Sequence, residues 1–181
     1  MIHRRPPRDS NAPPPPPGDD AVAAKRSRKP TLSLKGRALS YLARREYSRA
    51  ELRRKLSPYA NEEDPEALDR LLDSLEQERW LSNERFAESV VNRRASRLGT
   101  TRIVGELKQH QVDPETVAAL TEQLRSTELA RARAVWQKKF GEVATTPEAR
   151  AKQMRFLASR GFSSTVISKI VRGADEYSDD R

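Results

Sequence analysis

The 181-residue chain contains no cysteine, only two histidines and only seven glycines. The lack of cysteine excludes disulfide bonds, thiolate zinc sites and a cysteine nucleophile. No apolar run approaches the roughly 18 residues that a membrane helix requires. The N-terminus, M-I-H-R-R-P-P-R-D, has no hydrophobic segment of the kind that directs secretion. We therefore expect a cytoplasmic protein with no membrane partner.

The signatures of common catalytic sites are also missing. The sequence has no glycine-rich phosphate loop, no H-E-x-x-H zinc motif and no G-x-S-x-G nucleophile turn. His3 lies in a proline-rich segment, and His110 stands alone near the end of a short predicted helix, where a capping or surface role is the simpler interpretation. We expect a non-enzymatic protein with no catalytic residues, no metal and no cofactor.

Charge, in contrast, is abundant. Charged residues make up 34% of the chain, and the net charge is +9. Residues 1–33 contribute +4 and residues 174–181 contribute −3, so the part between them holds about +8. A basic domain of this size indicates an acidic partner, with nucleic acid as the first candidate. An arginine-rich face that serves only solubility would have the same charge.

The two ends of the chain differ in composition from the middle. Residues 1–33 contain eight of the twelve prolines and almost no large apolar residues. Such a segment cannot bury enough apolar surface to offset its ordering entropy, so we expect a disordered basic tail. Its K-R-S-R-K run at 25–29 suits either phosphate contact or solubility. We expect residues 174–181 to form a frayed acidic tail.

The middle of the chain repeats itself. Residues 41–56 read Y-L-A-R-R-E-Y-S-R-A-E-L-R-R-K-L, and residues 156–171 read F-L-A-S-R-G-F-S-S-T-V-I-S-K-I-V. A weaker copy covers residues 93–107. Self-similarity at intervals of tens of residues predicts stacked supersecondary units, each too small to bury its own apolar face.

Helix punctuation is frequent between the tails, and strand signals are poor. Ser48 and Glu51 form a predicted capping box. Residues that favour the N-cap position precede five further helices, at Asp64, Asn83, Asp113, Thr146 and Ser163. Gly99 suits a left-handed position after one helix, and Gly161 is expected to end another.

These signals predict an all-α protein of about nine helices. We expect tandem three-helix repeats at residues 34–81, 82–126 and 127–173, stacked in an elongated, curved array. Apolar residues at helical spacing are the predicted core. Trp80 and Trp136 are expected to belong to it, with Trp80 and Phe86 joining the first repeat to the second.

Arginine and lysine recur with the repeat. They flank the turn and the short second helix of each copy, so stacking would draw them into a stripe. Arginine dominates these stretches, which favours bidentate contacts with phosphate or carboxylate over simple solubility. The candidate partner-binding or DNA-binding residues are Arg45, Arg49, Arg53, Arg93, Arg94, Arg97, Arg102, Lys108, Arg160 and Lys169.

Residues 34–172 contain three motifs in series: the first repeat, then W-L-S-N-E-R-F-A-E-S-V-V-N-R-R at 80–94 with G-T-T-R-I-V-G-E-L-K at 99–108, and then F-L-A-S-R-G-F-S at 156–163. This series resembles the bacterial recombination regulator family RecX. Two positions depart from the family's usual pattern. Asn83 replaces an aspartate, and Leu98 replaces an aromatic residue before the glycine.

The resemblance implies a protein of tandem three-helix repeats that binds in the groove of the RecA filament on single-stranded DNA. We expect it to be a monomer. Such a regulator of recombination and the SOS response would restrain RecA's ATPase, strand-exchange and coprotease activities. The recurrent positive charge separately predicts that the protein alone binds DNA weakly and without sequence preference. The alternative is a general DNA-binding protein whose helix–turn–helix-like pairs insert Arg49, Arg53 and Arg102 into a groove.

Overall fold

The computed structural model describes residues 32–61 and 63–172, and within them it contains eight α-helices, one 3-10 turn and no strand. The helices are α1 (Leu34–Leu42), α2 (Arg49–Leu56), α3 (Ala67–Gln77), α4 (Asn83–Arg94), α5 (Thr100–Gln109), α6 (Pro114–Lys139), α7 (Pro147–Ser159) and α8 (Ser164–Val171). The 3-10 turn is Ser57–Tyr59. The predicted all-α class is confirmed. Apart from Leu32 and Ser33, the two predicted tails lie outside the described residues.

Helix α6 is longer than the sequence pattern predicted. It runs for 26 residues and passes through the predicted boundary between the second and third repeats at 126–127. No glycine or proline occurs in residues 115–139, so no residue there breaks the helical hydrogen-bond ladder. The described part of the chain therefore has eight α-helices instead of about nine.

Most helix starts are capped by their own side chains, as predicted. The side-chain oxygen accepts the amide three residues further on at Ser48, Asp113, Thr146 and Ser163. The capping box at Ser48 is only half formed, because the Glu51 carboxylate pairs with Arg45 instead of returning to the Ser48 amide. The predicted cap at Asp64 is wrong, since α3 begins at Ala67 without a side-chain cap.

Asn83 caps a different helix from the one predicted. Ser82 is the N-cap of α4, and its hydroxyl accepts the amide of Arg85 at 3.2 Å. Asn83 is the first helical residue, and its side-chain oxygen accepts the amide of Arg49 at 2.9 Å. One carboxamide therefore connects the N-termini of α2 and α4, and it satisfies an amide that lacks a partner within its own helix.

Buried apolar side chains form three clusters. The first cluster joins α1, α2 and α3 around Leu52 and Leu72. The second cluster joins α4, α5 and the first half of α6, and it includes Leu124. The third cluster joins the second half of α6 to α7 and α8, and it includes Trp136. Helix α6 is therefore a common wall of the second and third clusters.

The two tryptophans have different environments. Trp136 is buried as predicted, and its indole N–H donates to the side-chain oxygen of Gln153 at 3.1 Å. Trp80 is 55% exposed, so its predicted core position is wrong. The chain leaves α3 through Arg79 in the left-handed conformation, with φ of 61°, and this turn places Leu81 in the first cluster while Trp80 faces solvent.

Candidate partner-binding clefts

The turn between α4 and α5, residues 95–99, is called the central turn here. The Arg131 guanidinium on α6 donates to the carbonyls of Ala95 at 3.1 Å and Leu98 at 2.6 Å. These carbonyls follow the end of α4, where backbone acceptors lack helical partners. Burial lowers the pKa of Arg131, and the neighbouring carboxylate of Glu128 opposes that effect. Arg131 therefore fixes the shape of the central turn.

Glu128 holds the other side of the central turn. It is only 4% exposed, and its carboxylate accepts the amide of Thr100 at 3.0 Å, at the start of α5. Sequence reasoning missed both Glu128 and Arg131. A signal was present for Glu128, because it lies four residues from both Leu124 and Ala132 and so falls on the buried stripe of α6.

The central turn contacts the turn between α7 and α8, residues 160–163, called the C-terminal turn. The Gly99 amide donates to the Arg160 carbonyl at 2.9 Å, and a Cβ on Gly99 would lie 2.2 Å from the Gly161 carbonyl carbon. Gly99 has φ of −78°, so its predicted left-handed conformation is wrong, and the close approach is what requires glycine. Gly161, with φ of +81°, follows the end of α7 as predicted.

Three clefts open around these turns. The α5 cleft, of about 860 Å³, lies beside the C-terminal turn, and its lining includes Arg94, Arg102, Glu106, His110 and Gly161. The α4 cleft, of about 510 Å³, is lined by residues that include Arg45, Arg93, Arg94 and Arg97. The α6 cleft, of about 590 Å³, is lined by Ser96, Arg97, Ala134, Val135, Lys138, Lys139, Phe156 and Arg160.

The predicted arginines of the central repeat meet at these clefts. Arg93, Arg97 and Arg102 are exposed, and none of them pairs with an acid in the part of the chain that is described. Arg94 differs, because its Nε and Nη2 atoms lie 3.1 and 3.0 Å from the two carboxylate oxygens of Glu106. This pair stands between the α4 and α5 clefts and lines both.

His110 caps α5 and contributes to both of the same clefts. Its backbone amide donates to carbonyls of the last turn, which agrees with the predicted capping role. Its ring packs against the buried Phe86, with centroids 4.9 Å apart. Its Nδ1 atom is buried and has no hydrogen-bond partner among the described residues.

The candidate cations of the first repeat are paired with acids. Arg49 lies 2.6 Å from carboxylate oxygens of both Asp73 and Glu76 on α3. Burial lowers the pKa of Arg49, but these two carboxylates outweigh it and leave the pKa raised. Arg45 and Arg53 are also ion-paired with neighbouring carboxylates. In this repeat much of the positive charge is compensated within the fold.

The remaining candidates are dispersed. Arg160 lines the α6 cleft, and its guanidinium lies 3.7 Å from the centroid of the Phe156 ring. Lys108 and Lys169 are exposed but line none of the three clefts. The sequence-based candidates omitted Lys138 and Lys139, although two lysines in the last turn of a helix are a recognisable signal.

The described residues contain no group of three or more histidine, aspartate or glutamate side chains that could hold a metal ion. None of the helices in residues 32–61 and 63–172 is long and apolar enough to cross a membrane.

Eight helices around three apolar clusters define a helical-repeat protein in the described part of the chain. Family comparison matches residues 82–120 to the second three-helix domain of RecX and residues 126–171 to the third. The chain belongs to the RecX family, which confirms the resemblance found in the sequence.

Individual relatives agree with this assignment. The chain is 56% identical to "Regulatory protein RecX" of Ralstonia pickettii (strain 12J) over 149 residues, which cover 82% of this chain and 92% of the relative. It is 50% identical to the protein of the same name from Herminiimonas arsenicoxydans over 148 residues, which cover 82% and 97%. These relatives are named as regulators, and the chain is a non-enzymatic regulatory protein.

A solved structure supports the fold. The crystal structure of RecX from Lactobacillus salivarius superposes with a TM-score of 0.66 at 20% identity, covering 79% of this chain and 95% of that one.

Proposed function

We propose that this protein binds the RecA nucleoprotein filament on single-stranded DNA and restrains RecA's ATPase, strand-exchange and coprotease activities. Membership of the RecX family supports a role in RecA-dependent recombination and the SOS response. The observation that supports contact through the central repeat is its set of exposed arginines. Arg93, Arg97 and Arg102 line the clefts without an acidic partner among the described residues, so they are available to anionic groups.

The mechanism in this proposal is occlusion. The protein acts as a monomer that lies in the filament groove, where its guanidinium groups bind phosphate or carboxylate oxygens. It then competes with the second DNA strand or with a protein substrate for the same groove. Three arginines that neutralise three phosphates of single-stranded DNA give a slope of only about −2 in log K against log salt. We therefore expect weak, non-specific DNA binding by the protein alone.

The arginines lie on or beside a turn whose backbone is held in place, and this suits the proposed role. The central turn is fixed by Arg131 and Glu128 and is bonded to the C-terminal turn through Gly99. Side chains on a fixed backbone lose less conformational freedom on binding, so more of the contact energy appears as affinity.

The general DNA-binding alternative has less support. A recognition helix reads base edges with residues near its N-terminus, but the start of α5 is bonded to the C-terminal turn. The alternative also requires Arg49 and Arg53, which are ion-paired with carboxylates of α3. The two proposals differ in one measurement, which is whether tight binding to single-stranded DNA requires RecA.

The test of the proposal is RecA ATPase activity on single-stranded DNA, measured against increasing concentrations of this protein. The variant Arg93→Glu/Arg97→Glu/Arg102→Glu should lose at least tenfold in inhibitory potency. Its matched control is Arg54→Glu/Arg125→Glu/Lys152→Glu, which changes the same charge at exposed positions outside the three clefts. The control should inhibit like the wild type.

Both variants should remain folded, because exposed charges contribute roughly 0–1 kcal/mol each to stability. Urea denaturation and circular dichroism verify this point. If the folded triple variant inhibits at wild-type concentrations, the central clefts are not the contact site. Equal losses in both variants would show that net charge alone, and no particular surface, determines inhibition.

A further inference from the structure

The α6 cleft is lined by cations and small or apolar residues. Four of its eight lining residues are cations, namely Arg97, Lys138, Lys139 and Arg160, and none is an acid. Arg97, Lys138 and Lys139 form no ion pair with any acid in residues 32–61 and 63–172. A group of cations around a cleft raises the local positive potential and attracts an anionic occupant.

The cleft also has an apolar floor. Ala134 and Val135 come from α6, and Phe156 comes from α7. Val135 and Phe156 pack against the third cluster and are only partly buried. The Phe156 ring is fixed from two sides, by the Arg160 guanidinium and by an edge contact with Phe140 at 5.0 Å between centroids. An occupant that fits both features combines several carboxylates with an apolar or aromatic side chain.

The C-terminal segment of the chain combines several carboxylates with an aromatic side chain. Residues 174–181 read A-D-E-Y-S-D-D-R, which places four acids around one tyrosine with a net charge of −3. This segment lies outside the described residues. Helix α8 ends at Val171 within the third cluster, the cluster that also supports the floor of the α6 cleft. Nine residues from 173 to 181 reach at most about 30 Å when extended, which is long enough to pass over a neighbouring helix.

We propose that the acidic C-terminal segment 174–181 docks in the α6 cleft and masks Arg97, Lys138 and Lys139. The regulatory consequence rests on the function proposed above. The docked segment occupies cations that would otherwise bind the anionic groups of the filament or its DNA. Regulation then follows from competition, because only the undocked state presents its full charge.

The expected loss of affinity for a competing anion can be estimated, because the segment is covalently connected to the domain that carries the cleft. A short flexible connection gives an effective concentration on the order of 1 mM. If the free peptide has a Kd of about 0.1 mM, the tethered segment is docked about ten times as often as it is free. The apparent affinity for a competing anion falls by the same factor, about tenfold.

Disulfide trapping tests docking without RecA or DNA. The chain contains no cysteine, so an introduced pair is unique. Ser96 lines the cleft, and the pair Ser96→Cys/Ser178→Cys should form a disulfide under mild oxidation. Ser126 is exposed on the same helix, α6, but lines none of the three clefts, so Ser126→Cys/Ser178→Cys is the matched control.

We expect the Ser96 pair to form at least tenfold faster than the Ser126 pair. Lys138→Gln/Lys139→Gln, or about 1 M salt, should abolish that preference, because charges then contribute little. Similar rates for the two pairs would overturn the proposal and would indicate that the cleft serves another partner. This outcome would leave the proposed regulation of RecA untouched.

The affinity for single-stranded DNA tests whether the docked segment masks these cations. In the full-length chain, Asp175→Asn/Glu176→Gln/Asp179→Asn/Asp180→Asn removes the four negative charges. Fluorescence anisotropy with a labelled oligothymidine should show about tenfold tighter binding to single-stranded DNA in moderate salt. The same substitutions made in a Lys138→Gln/Lys139→Gln chain should give a gain of less than threefold. Equal gains in both backgrounds would mean that the tail acts by long-range repulsion, and docking would be refuted.

Discussion

Gly99 and Gly161 meet so closely that a Cβ on Gly99 would lie 2.2 Å from the Gly161 carbonyl carbon. A Cβ on Gly161 would in turn lie 2.7 Å from the Arg102 amide nitrogen, and its φ of +81° is unfavourable for other residues. The backbones at these two glycines therefore approach each other directly. Because Arg102 lines the α5 cleft, this junction also positions one wall of the proposed contact surface.

Gly99→Ala should lower the free energy of unfolding by roughly 1–3 kcal/mol or more, since the added methyl group must separate two backbones. Urea denaturation measures the change. The control is Gly105→Ala in the middle of α5, where an added Cβ meets nothing within 4 Å. It should stabilise the protein by about 0.5–1 kcal/mol, because alanine loses less backbone entropy in a helix. Similar values for the two variants would contradict the close contact.

Arg131→Lys should destabilise the protein by about 1–3 kcal/mol despite keeping the charge. Arg131 donates through Nη1 to the carbonyls of Ala95 and Leu98 and through Nη2 to the carbonyl of Leu124. A single lysine Nζ cannot reach both positions, so at least one of these carbonyls loses its partner. Arg125→Lys, at an exposed position on the same helix, should change stability by less than about 0.5 kcal/mol. Amide hydrogen exchange in residues 95–99 should accelerate only in the first variant.

Asn83→Ala should cost about 0.5–2 kcal/mol through the loss of the cap on the Arg49 amide. The substitution Asn83→Asp keeps the acceptor oxygen and adds negative charge beside the N-termini of α2 and α4, which the helix dipoles favour. Thermal melting should therefore rank aspartate at or above asparagine, and both above alanine. An aspartate variant that melts with the alanine variant would show that the capping contact contributes nothing.

Replacement by phenylalanine should affect stability much more at Trp136 than at Trp80. Trp80→Phe should change stability by less than about 0.5 kcal/mol, because the side chain is largely exposed. Trp136→Phe should cost about 1–3 kcal/mol, since it leaves the buried oxygen of Gln153 without its indole donor. Each variant keeps one tryptophan, and the fluorescence of that tryptophan gives an independent check. Emission from Trp136 should be blue-shifted and protected from acrylamide, whereas emission from Trp80 should be readily quenched.

Local chemistry explains which parts of the fold were predictable. The caps at Ser48, Asp113, Thr146 and Ser163 bond to an amide three residues away, so the sequence contains both partners. Buried stripes were recognisable for the same reason, because they depend only on helical spacing.

Two of the incorrect predictions depend on partners far away in the sequence. The role of Gly99 is set by Gly161, and the role of Asn83 is set by Arg49. Trp80 was misplaced because a single left-handed residue rotates the chain and gives its position to Leu81. Within the candidate site, the spacing of arginines identified candidates around the central turn, and their role stays a prediction. That spacing could not separate Arg97, without an acidic partner in the described part, from Arg49, which α3 neutralises.

Helix α6 fixes the spacing between the central turn and the two lysines of α6 that line the α6 cleft. Its 26 residues extend for about 39 Å, and its two halves are packed into the second and third clusters. A change in distance between those clusters would require a continuous hydrogen-bonded rod to stretch or break. Arg131, which is bonded to the central turn, lies seven residues before Lys138, so the helical rise fixes these two residues about 10 Å apart along the helix axis. In the function proposed above, the filament therefore meets these cations at a spacing that the helix has fixed before binding.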